Sequence, residues 1–373
     1  MNGERIVVGI SGGVDSAVTA RLLREAGHDV HGLFMKNWEE DDTDSHCTAA
    51  DDLEDARQVC ETLGIPLHQA NFAAEYRQTV FDYCLAEFRA GRTPNPDVLC
   101  NQHIKFRAFL DYARRLGGQA VATGHYARLE TAGDGHVRLL KGADPNKDQT
   151  YFLYRLSQEQ LAVSRFPLGG LRKDAVRAMA ADAGFDNFDK KDSTGICFIG
   201  ERDFRAFLAQ YIQGRPGDIV TPDGETVGSH HGLPFYTIGQ RQGLNIGGRS
   251  GRSGRAGQPW YVAAKDLERN RLIAVQGHDH PALLCSDLEA GDLSWISGAP
   301  PPPGTACHAK TRYRQPDQAC VVEAVDEERL RLRFHAPQRA VAPGQSVVLY
   351  NGEECLGGGV IDRALPVAES PLR

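Results

Sequence analysis

A glycine-rich hexapeptide, SGGVDS at residues 11–16, follows directly on the β-branched run at residues 6–10 and leads into a helical pattern. Gly12 and Gly13 leave backbone N–H groups free to converge on an anion, and the helix places its positive end behind them. The order of strand, turn and helix therefore predicts a phosphate cradle. The hexapeptide lacks the Gly-Lys-Ser/Thr ending whose lysine reaches the β- and γ-phosphates in a Walker loop. We therefore expect ATP to bind here without transfer of its γ-phosphoryl group.

The second stretch with residue types suited to chemistry is RTPNPDVLCN at residues 92–101. Its two prolines restrict the backbone, so we expect an extended, non-helical segment that presents Asn95, Asp97 and Cys100 in a fixed order at a helix N-terminus. The helix dipole favours the thiolate form of a cysteine at that position. Asp97 is a candidate for proton transfer or for orienting a substrate base. A buried structural role is the alternative for Cys100.

A third stretch, KKDSTGICFIG at residues 190–200, places two lysines and a Gly-flanked turn before Cys197. Positive charge nearby lowers the pKa of a thiol from its free value of about 8.5, which favours a nucleophile or a sulfur carrier at neutral pH. By itself this pattern fits a structural cysteine equally well. The pattern indicates a functional cysteine only in combination with the ATP loop and the segment at 92–101.

Strands and helices alternate between residue 5 and about residue 125, and this alternation predicts the scaffold that must position the three stretches. Apolar spacing and stop signals predict helices over 15–26, about 48–63, 75–90 and about 101–116, and strands over 28–34, 65–72 and 119–123. The result is an α/β fold with a doubly wound parallel sheet, whose ligand lies beyond the carboxyl ends of its strands.

The composition and hydrophobic periodicity of the chain change after a predicted helical segment at 204–212. Glycine and proline become frequent, and no acidic residue occurs between Glu225 and Asp266. In this part, GGRSGRSGRAG at 247–257 is a low-complexity loop that we expect to be mobile. Beyond about residue 284, short alternating segments such as ERLRLRF predict a small β-barrel. We therefore predict an ATP-binding domain over 1–203, a small central domain over 204–283 and a C-terminal β-barrel domain over 284–373.

Composition limits the classes of protein that fit. The 373 residues, 41% hydrophobic and 24% charged, are typical of a soluble chain with two or three cores. Because no apolar stretch is long enough to span a bilayer and no signal segment precedes the first strand, we expect a cytoplasmic protein without a membrane partner. The nine cysteines include no Cys-x-x-Cys pair. This argues against a zinc site and against a secreted disulfide framework, and we expect no bound metal.

The formal net charge of −7 is unevenly distributed along the chain. Nine acidic residues fall within residues 38–56, which contain no lysine or arginine, and the rest of the chain sums to +2. A nearly neutral body with local basic stretches can bind a polyanion, because affinity follows local phosphate contacts. The net charge therefore does not exclude a nucleic-acid partner.

The motif SGGVDS resembles the signature of the PP-loop ATP pyrophosphatases, which hold the pyrophosphate half of ATP while AMP is transferred to a substrate oxygen. The three stretches and five further motifs together closely resemble the tRNA-specific 2-thiouridylases over nearly the whole chain. Those five motifs are GLFMKNWEEDD at 32–42, GHYAR at 124–128, KDQTY at 147–151, HGLPFYTIGQR at 231–241 and KTRYR at 310–314. The resemblance implies a PP-loop domain, a small central tRNA-binding domain and a C-terminal β-barrel.

This resemblance also implies a reaction. The substrate would be the wobble uridine of certain tRNAs, and the products would be 2-thiouridine, AMP and pyrophosphate. ATP, with Mg²⁺, would adenylate the C2 oxygen of uracil, and no permanently bound cofactor is expected. Cys197 would carry a persulfide received from a sulfur donor, either a cysteine desulfurase or a sulfur-relay protein. Cys100 would be the second thiol and would form a disulfide with Cys197, which requires their Cα atoms to come within about 7 Å.

Carried over residue by residue, the ATP contacts of the family fall on Gly9, Ile10, Ser11, Gly12, Gly13, Val14, Asp15, Ser16, Met35 and Gly124. The tRNA contacts fall on Asn95, Pro96, Asp97, His125, Lys147, Asp148, Gln149, Arg312, Tyr313 and Gln345. The alternatives are core packing for Met35, a structural role for His125 and a solvated surface position for any single tRNA residue. The remaining cysteines are expected to be structural: Cys47, Cys60, Cys84, Cys285, Cys307, Cys320 and Cys355.

Three other functions stay open at this point. A PP-loop ligase that forms an amide or amidine bond uses the same activation, but it should tolerate serine in place of Cys100 and Cys197. A cluster-dependent thiolase would use these two cysteines and Asp97 as ligands of an iron–sulfur cluster, which absorbance of the anaerobic protein would detect. A tRNA-binding protein that only senses ATP would not release pyrophosphate in response to tRNA.

Overall fold

The computed structural model of the chain describes residues 3–39, 48–190, 203–246 and 258–366. Its α-helices are α1 (Val14–Glu25), α2 (Thr48–Leu63), α3 (Ala73–Tyr76), α4 (Asp82–Arg89), α5 (Pro96–Cys100), α6 (Phe109–Arg115), α7 (Gln158–Ala162), α8 (Lys173–Asp182) and α9 (Phe204–Leu208). Two π-helical segments join neighbouring helices, Arg77–Phe81 and Asn101–Ala108, and short 3-10 helices occur at Thr150–Phe152, Leu233–Phe235 and Pro281–Leu283. In these ranges no helix combines the length and the apolar character of a membrane span.

The strands fall into three sheets. They are β1 (Arg5–Gly9), β2 (Asp29–Lys36), β3 (Leu67–Asn71), β4 (Ala120–Ala122), β5 (Ala127–Thr131), β6 (Val137–Lys141), β7 (Ser164–Arg165), β8 (Gly217–Val220), β9 (Thr226–His230), β10 (Trp260–Asp266), β11 (Arg271–Gln276), β12 (Leu284–Trp295), β13 (Ala306–Lys310), β14 (Gln318–Val325), β15 (Leu330–Arg339), β16 (Ser346–Asn351) and β17 (Glu354–Pro366).

The first sheet has five strands in the order β3-β2-β1-β4-β7, and each neighbouring pair is parallel. Successive residues of β1 face opposite sides: Val7 packs in the core that contains α3 to α6, whereas Ile6 and Val8 pack against α1, α2 and α8. Because helices cover both faces, the strands are apolar on both sides rather than alternating. The predicted doubly wound parallel sheet is confirmed.

The prediction that the prolines keep residues 92–101 out of a helix is confirmed for residues 92–95 and wrong from Pro96 onward. Helix α5 begins at Pro96, and the chain continues through a π-helical segment into α6. Proline is tolerated at the first helical position because its missing N–H would have no intrahelical acceptor there. Asn95 forms the N-cap, and its side-chain oxygen accepts a hydrogen bond from the Val98 N–H at 3.3 Å. The cap and the proline therefore start this helix instead of preventing it.

The central part of the chain forms a four-stranded sheet in the order β10-β11-β8-β9, preceded by α9. Its apolar residues, among them Phe207 of α9 and Trp260 of β10, belong to the same continuous core as Tyr76 and Phe81 of the first part. The central sheet is therefore packed on the helices of the parallel sheet without an intervening solvent layer.

The last part of the chain closes into a six-stranded antiparallel barrel, as predicted. The strand order is β12-β15-β14-β13-β16-β17, and pairing of β17 with β12 completes the ring. Along β15 buried and exposed residues alternate, with Leu330, Leu332 and Phe334 inside and Arg331 and Arg333 outside. Each inward residue packs in a core formed within the barrel.

A hairpin from the first part of the chain extends this barrel sheet. Strands β5 and β6 pair with each other, and β6 then pairs with β17 through Leu139 opposite Cys355 and Leu140 opposite Glu354. The sequence analysis did not identify this hairpin, although the Asp134-Gly135 turn between two alternating segments is a recognised hairpin signal. The three domain ranges stay predictions, and this hairpin joins the first range to the third.

An ion pair strengthens that connection. Arg155 lies after the first 3-10 helix and has a side chain only 8% exposed, whereas its partner Asp292, 58% exposed, lies at an irregularity of β12 with a φ of 46°. Both guanidinium Nη atoms donate to the carboxylate, at 2.5 and 2.8 Å. The geometry is bidentate, and the buried member of the pair is the cation.

We expect Asp292→Asn to destabilise the protein, because the buried Arg155 cation then has only a neutral partner. Asparagine is of similar size and tolerates a positive φ, so the change removes mainly the charge. The cost should be about 1–2 kcal/mol, below the 3–5 kcal/mol of a fully buried pair because Asp292 is exposed, and the melting temperature should fall by several degrees. Adding Arg155→Met should restore part of the loss. An unchanged melting temperature in the single variant would contradict this interpretation.

Candidate active site

The loop that carries SGGVDS lies where the order of the parallel strands reverses. From β1 the chain first builds β2 and β3 on one side and later β4 and β7 on the other. The carboxyl ends of β1 and β4 therefore border a crevice, which is the usual ligand position in such sheets. Residues 10–13 leave β1 at this point, and Gly124 follows β4 on the other side of the crevice.

Internal hydrogen bonds give the loop its shape. The Ser16 hydroxyl accepts from the Ser11 N–H at 3.1 Å and donates to the Gly13 carbonyl at 2.9 Å. Gly12 has a φ of 73°, and a Cβ there would lie 2.4 Å from the Asp52 carbonyl oxygen. The residue before α1 is Gly13, and among the described residues no side chain makes a capping hydrogen bond at the positive end of that helix. The loop thus has the backbone geometry of an anion cradle.

The remaining predicted ATP residues lie around this loop. A Cβ on Gly9 would be 3.4 Å from Cε of Met35, which is the penultimate residue of β2. A Cβ on Gly124 would be 2.9 Å from the Cβ of Asp15. The structure therefore brings all ten predicted ATP residues to one edge of the sheet. Their contact with ATP stays a prediction.

Asp15 has two partners that the sequence analysis did not single out for it. The Lys173 ammonium lies 2.8 Å from each of its carboxylate oxygens, and the Tyr126 hydroxyl donates to Oδ1 at 2.7 Å. The Lys173 side chain is 11% exposed and that of Asp15 is 31% exposed. The sequence analysis did not single out Lys173, because no local pattern indicates that α8 begins beside the loop.

The segment before Cys100 is held from two sides by the other parts of the chain. From the barrel, Gln345 Nε2 donates to the carbonyls of Thr93 and Pro94, at 2.9 and 3.0 Å, and the Pro343 carbonyl accepts from the Thr93 N–H at 2.8 Å. From the central sheet, Lys265 Nζ donates to the Gly91 carbonyl at 2.9 Å. We call residues 91–94, with these contacts, the three-way junction.

The backbones at this junction touch. Gly344 has a φ of 91°, and a Cβ there would lie 2.8 Å from the Thr93 nitrogen. On the other side, the hydroxyl groups of Thr93 and Thr237 lie 3.2 Å apart. Any larger residue at position 344 would displace the segment that leads to α5.

Cys100 lies one turn inside the helix rather than at its N-terminus. It is the last residue of α5, it is 0% exposed, and it packs in a core with Leu99 and Ile104. The dipole effect expected for its thiol is weaker at this position, because it falls off within the first turn. Asp97, in contrast, lies within that turn and is partly buried. Cys197 lies outside the described residues, so the approach of the two thiols stays a prediction.

Several of the other cysteines have the environment of structural residues. Burial raises the pKa of Cys60, Cys285 and Cys355 to about 12, and burial together with the Asp97 charge does the same for Cys84. Within the described ranges, no group of three or more His, Cys, Asp and Glu side chains could hold a metal ion. Cys47, like Cys197, lies outside those ranges.

The predicted tRNA residues form two groups with different surroundings. Asn95, Pro96 and Asp97 start α5, and Gln345 lies at the three-way junction. The second group surrounds the β5–β6 hairpin and the barrel: Lys147, Asp148, Gln149, Arg312 and Tyr313. Tyr151 connects the two groups, because its hydroxyl donates to the Ser346 carbonyl at 2.9 Å and its ring centroid lies 6.3 Å from that of Tyr313.

Three of these side chains make internal contacts. Asp148 is buried, accepts from the Thr150 hydroxyl at 2.8 Å and lies 3.5 Å from the Lys310 ammonium. The side-chain oxygen Oε1 of Gln149 accepts from the Tyr126 N–H at 3.0 Å. The buried Asp148 does not fit the alternative of a solvated surface position, and direct contact of these residues with tRNA stays a prediction. The Arg312 guanidinium is more open and donates to the Arg339 carbonyl at 2.9 Å.

His125 is buried between Phe106 and Phe166, and its Nδ1 lies 2.7 Å from the Thr123 hydroxyl. Burial, with the Lys105 charge, holds the pKa of this imidazole well below its ordinary range, so the ring is neutral at physiological pH. A buried neutral ring fits the structural alternative. Contact between this imidazole and RNA would require the aromatic packing to open.

Three family models match the chain in order. Residues 4–201 match the model described as the tRNA methyl transferase HUP domain. Residues 205–276 match the tRNA methyl transferase PRC-barrel domain, and residues 285–361 match the aminomethyltransferase beta-barrel domain. The sequence of a parallel-sheet domain, a central domain and a C-terminal barrel is therefore confirmed.

Curated relatives match over nearly the full length. The chain is 62% identical to a protein of Methylococcus capsulatus, over 96% of each chain. It is 60% identical to one of Alkalilimnicola ehrlichii, over 98% of this chain and 99% of that one, and 56% identical to one of Francisella tularensis, over 97% and 100%. Each relative is named tRNA-specific 2-thiouridylase MnmA. The chain belongs to the tRNA-specific 2-thiouridylase family.

In this member of the 2-thiouridylase family, the three-way junction includes the titratable side chain of Lys265. Burial lowers the pKa of the partly buried Lys265 to about 8, from an ordinary value of 10.5. Between those two values the unfolded chain binds more protons at this lysine than the folded chain does. Stability from this group is therefore lowest below pH 8 and rises with pH up to about 10.5.

We expect the melting temperature of the wild-type protein, measured relative to Lys265→Met, to increase between pH 8 and pH 10. The corresponding gain in the free energy of unfolding should be about 1–3 kcal/mol, with the lower end favoured because the Lys265 side chain is partly exposed. Lys265→Arg is the matched control: it keeps a charge that does not titrate in this range and should show no such gain. Parallel pH profiles for the wild type and Lys265→Met would contradict a desolvated ammonium at the junction.

Proposed function

We propose that this chain is a tRNA-specific 2-thiouridylase, an ATP-dependent sulfurtransferase that converts the wobble uridine of tRNA to 2-thiouridine and releases AMP and pyrophosphate. The observation that carries the proposal is the near full-length identity of 56–62% to proteins named for this activity. The loop at residues 11–16, which lies at the reversal point of a parallel sheet, supports the use of ATP.

Activation by AMP answers a specific chemical difficulty. The C2 oxygen of uracil is a poor leaving group. When this oxygen attacks the α-phosphorus of ATP, pyrophosphate leaves and the oxygen becomes part of an AMP group. AMP can then leave from C2 in place of a bare oxygen. The chain's part in this step is to hold the pyrophosphate leaving group. Two features are suited to that negative charge: the backbone around Gly12 and Gly13, and the N-terminal end of α1, where Gly13 makes no side-chain cap hydrogen bond. Mg²⁺ bound with ATP would neutralise further charge on the phosphates.

Sulfur transfer then uses two thiols. The terminal sulfur of a Cys197 persulfide attacks C2 and AMP leaves, so that the base is joined to Cys197 through two sulfur atoms. The Cys100 thiolate attacks the sulfur of Cys197, a Cys100–Cys197 disulfide forms, and the electron pair of the broken S–S bond remains on the sulfur bound to C2. An external thiol must reduce the disulfide before the next turnover. Because Cys100 is buried, its surroundings must open for this step.

Asp97 is our candidate for a residue that assists this chemistry. It lies in the first turn of α5, three residues before Cys100, and the Asn95 cap and the three-way junction fix the start of that helix. We assign it proton transfer or orientation of the uracil ring. The tRNA would lie over the two groups of predicted contact residues, and a cysteine desulfurase or a sulfur-relay protein would supply the persulfide. A cytoplasmic location and the domain ranges 1–203, 204–283 and 284–373 belong to the same proposal.

The test is mass analysis of wobble nucleosides in tRNA that has been incubated with ATP, a persulfide source and the purified protein. We expect 2-thiouridine to form only when all three are present. Release of pyrophosphate that does not depend on tRNA, with no thiolated nucleoside, would contradict the proposal. Visible absorbance of an iron–sulfur cluster in the anaerobically purified protein would instead favour the cluster-dependent thiolase.

We expect Cys197→Ser to abolish thiolation while leaving ATP-dependent adenylation of bound tRNA intact, because the hydroxyl cannot carry a persulfide and the ATP loop lies elsewhere in the sequence. The two readouts are the 2-thiouridine content and tRNA-dependent pyrophosphate release. Cys84→Ser is the matched control, since that thiol is buried and protonated and should not be needed for either readout. Loss of both activities in Cys197→Ser would contradict the proposed division between the two steps.

A further inference from the structure

The loop at residues 9–16 contains a carboxylate and no lysine or arginine. Pyrophosphate carries several negative charges, so a site for it requires positive charge beyond the backbone N–H groups and the helix end. In this sequence that charge must come from a residue distant along the chain. The structure contains a lysine in direct contact with the loop.

Lys173 lies on the crevice side of the loop. Its ammonium contacts both oxygens of Asp15, and Asp15 lies directly against Gly124, the residue that borders the crevice after β4. The backbone of Lys173 is fixed, because its N–H donates to the Asp144 carboxylate at 3.1 Å and starts α8. Its ammonium therefore lies beside the loop, in contact with Asp15.

Groups other than Lys173 also stabilise the negative charge of Asp15. It lies in the first turn of α1, where the helix dipole favours an anion, and the Tyr126 hydroxyl donates to it. A second lysine near the loop, Lys190, is paired with two carboxylates, those of Asp52 and Asp55 on α2. Lys173 is thus the better placed of these two cations to turn toward a phosphate.

We infer that Lys173 supplies the positive charge that the SGGVDS loop lacks: its ammonium, which holds Asp15 in this structure, contacts the pyrophosphate oxygens of bound ATP. The inference rests on the proposed use of ATP at this loop. No covalent step is involved, because Lys173 acts by electrostatic attraction and by hydrogen bonds to the β- and γ-phosphates. Asp15 keeps its contacts with Tyr126 and the helix end while the ammonium is shared.

The experiment measures the binding of three probes by isothermal titration calorimetry in the absence of tRNA: ATP, inorganic pyrophosphate and AMP. We expect Lys173→Met to weaken ATP and pyrophosphate about 10–100-fold, the range of a charge-assisted contact, and to change AMP less than about threefold. Lys173→Gln removes the charge but keeps a hydrogen-bond donor, and it should give the same pattern if the methionine variant does not fold.

Lys141→Met is the matched control. Lys141 also pairs with a partly exposed aspartate, Asp317, and the two pairs have similar side-chain exposures: 17% and 31% against 11% and 31% for Lys173 and Asp15. It lies in the hairpin that joins the barrel, so its loss should not change the affinity for any of the three probes. Far-ultraviolet circular dichroism and the melting temperature report whether each variant is folded.

Asp15→Asn separates a direct contact from an effect through Asp15. If Lys173 contacts the phosphates, Lys173→Met weakens pyrophosphate binding in the Asp15→Asn background as well. If Lys173 only orients Asp15, the second substitution has no further effect, and the inference is overturned. Equal weakening of AMP and ATP would overturn it too. Absence of ATP binding by the wild-type protein would instead remove the proposed use of ATP, and the inference with it.

Discussion

The hydrogen bonds that hold the carbonyls of residues 91–94 are the constraint on which the geometry of the site depends. Lys265 of the central sheet and Gln345 of the barrel reach the same short segment from opposite sides. That segment leads directly into α5, which carries Asp97 and Cys100. The start of α5 is therefore held by hydrogen bonds from all three parts of the chain as well as by its packing against the helices of the parallel sheet. The site is in this sense a product of the whole chain.

The ATP loop depends on a different and more local constraint. Strand β1, the glycine turn and α1 follow one another within about twenty residues, and their geometry follows from backbone sterics and hydrogen bonds within the loop. For this reason the sequence predicted the loop and its position at the edge of the sheet, whereas Met35 and Gly124 were assigned to the site only through the family resemblance. The alternation within β15 predicted the barrel on the same local grounds.

The features that the sequence did not reveal are those that depend on contacts between distant residues. The β5–β6 hairpin has a local turn signal, but its pairing with β17 arises from residues more than two hundred positions apart. Lys173 against Asp15 and Lys265 against Gly91 are likewise contacts between distant residues, 158 and 174 positions apart. The wrong prediction of a non-helical segment before Cys100 has a local cause: the N-cap of Asn95 and the tolerance of proline at the first helical position were not combined.

Burial of Cys100 links the junction to the chemistry. A thiol in a closed core is protected from oxidants and alkylating agents, but it is equally closed to a substrate. The residues that surround it extend from the parallel sheet into the central sheet as one core, and the junction fixes the start of its helix from both other parts of the chain. The proposed attack of Cys100 on Cys197 therefore requires this core to open, and any opening that moves α5 must also strain the hydrogen bonds of Lys265 and Gln345 to residues 91–94.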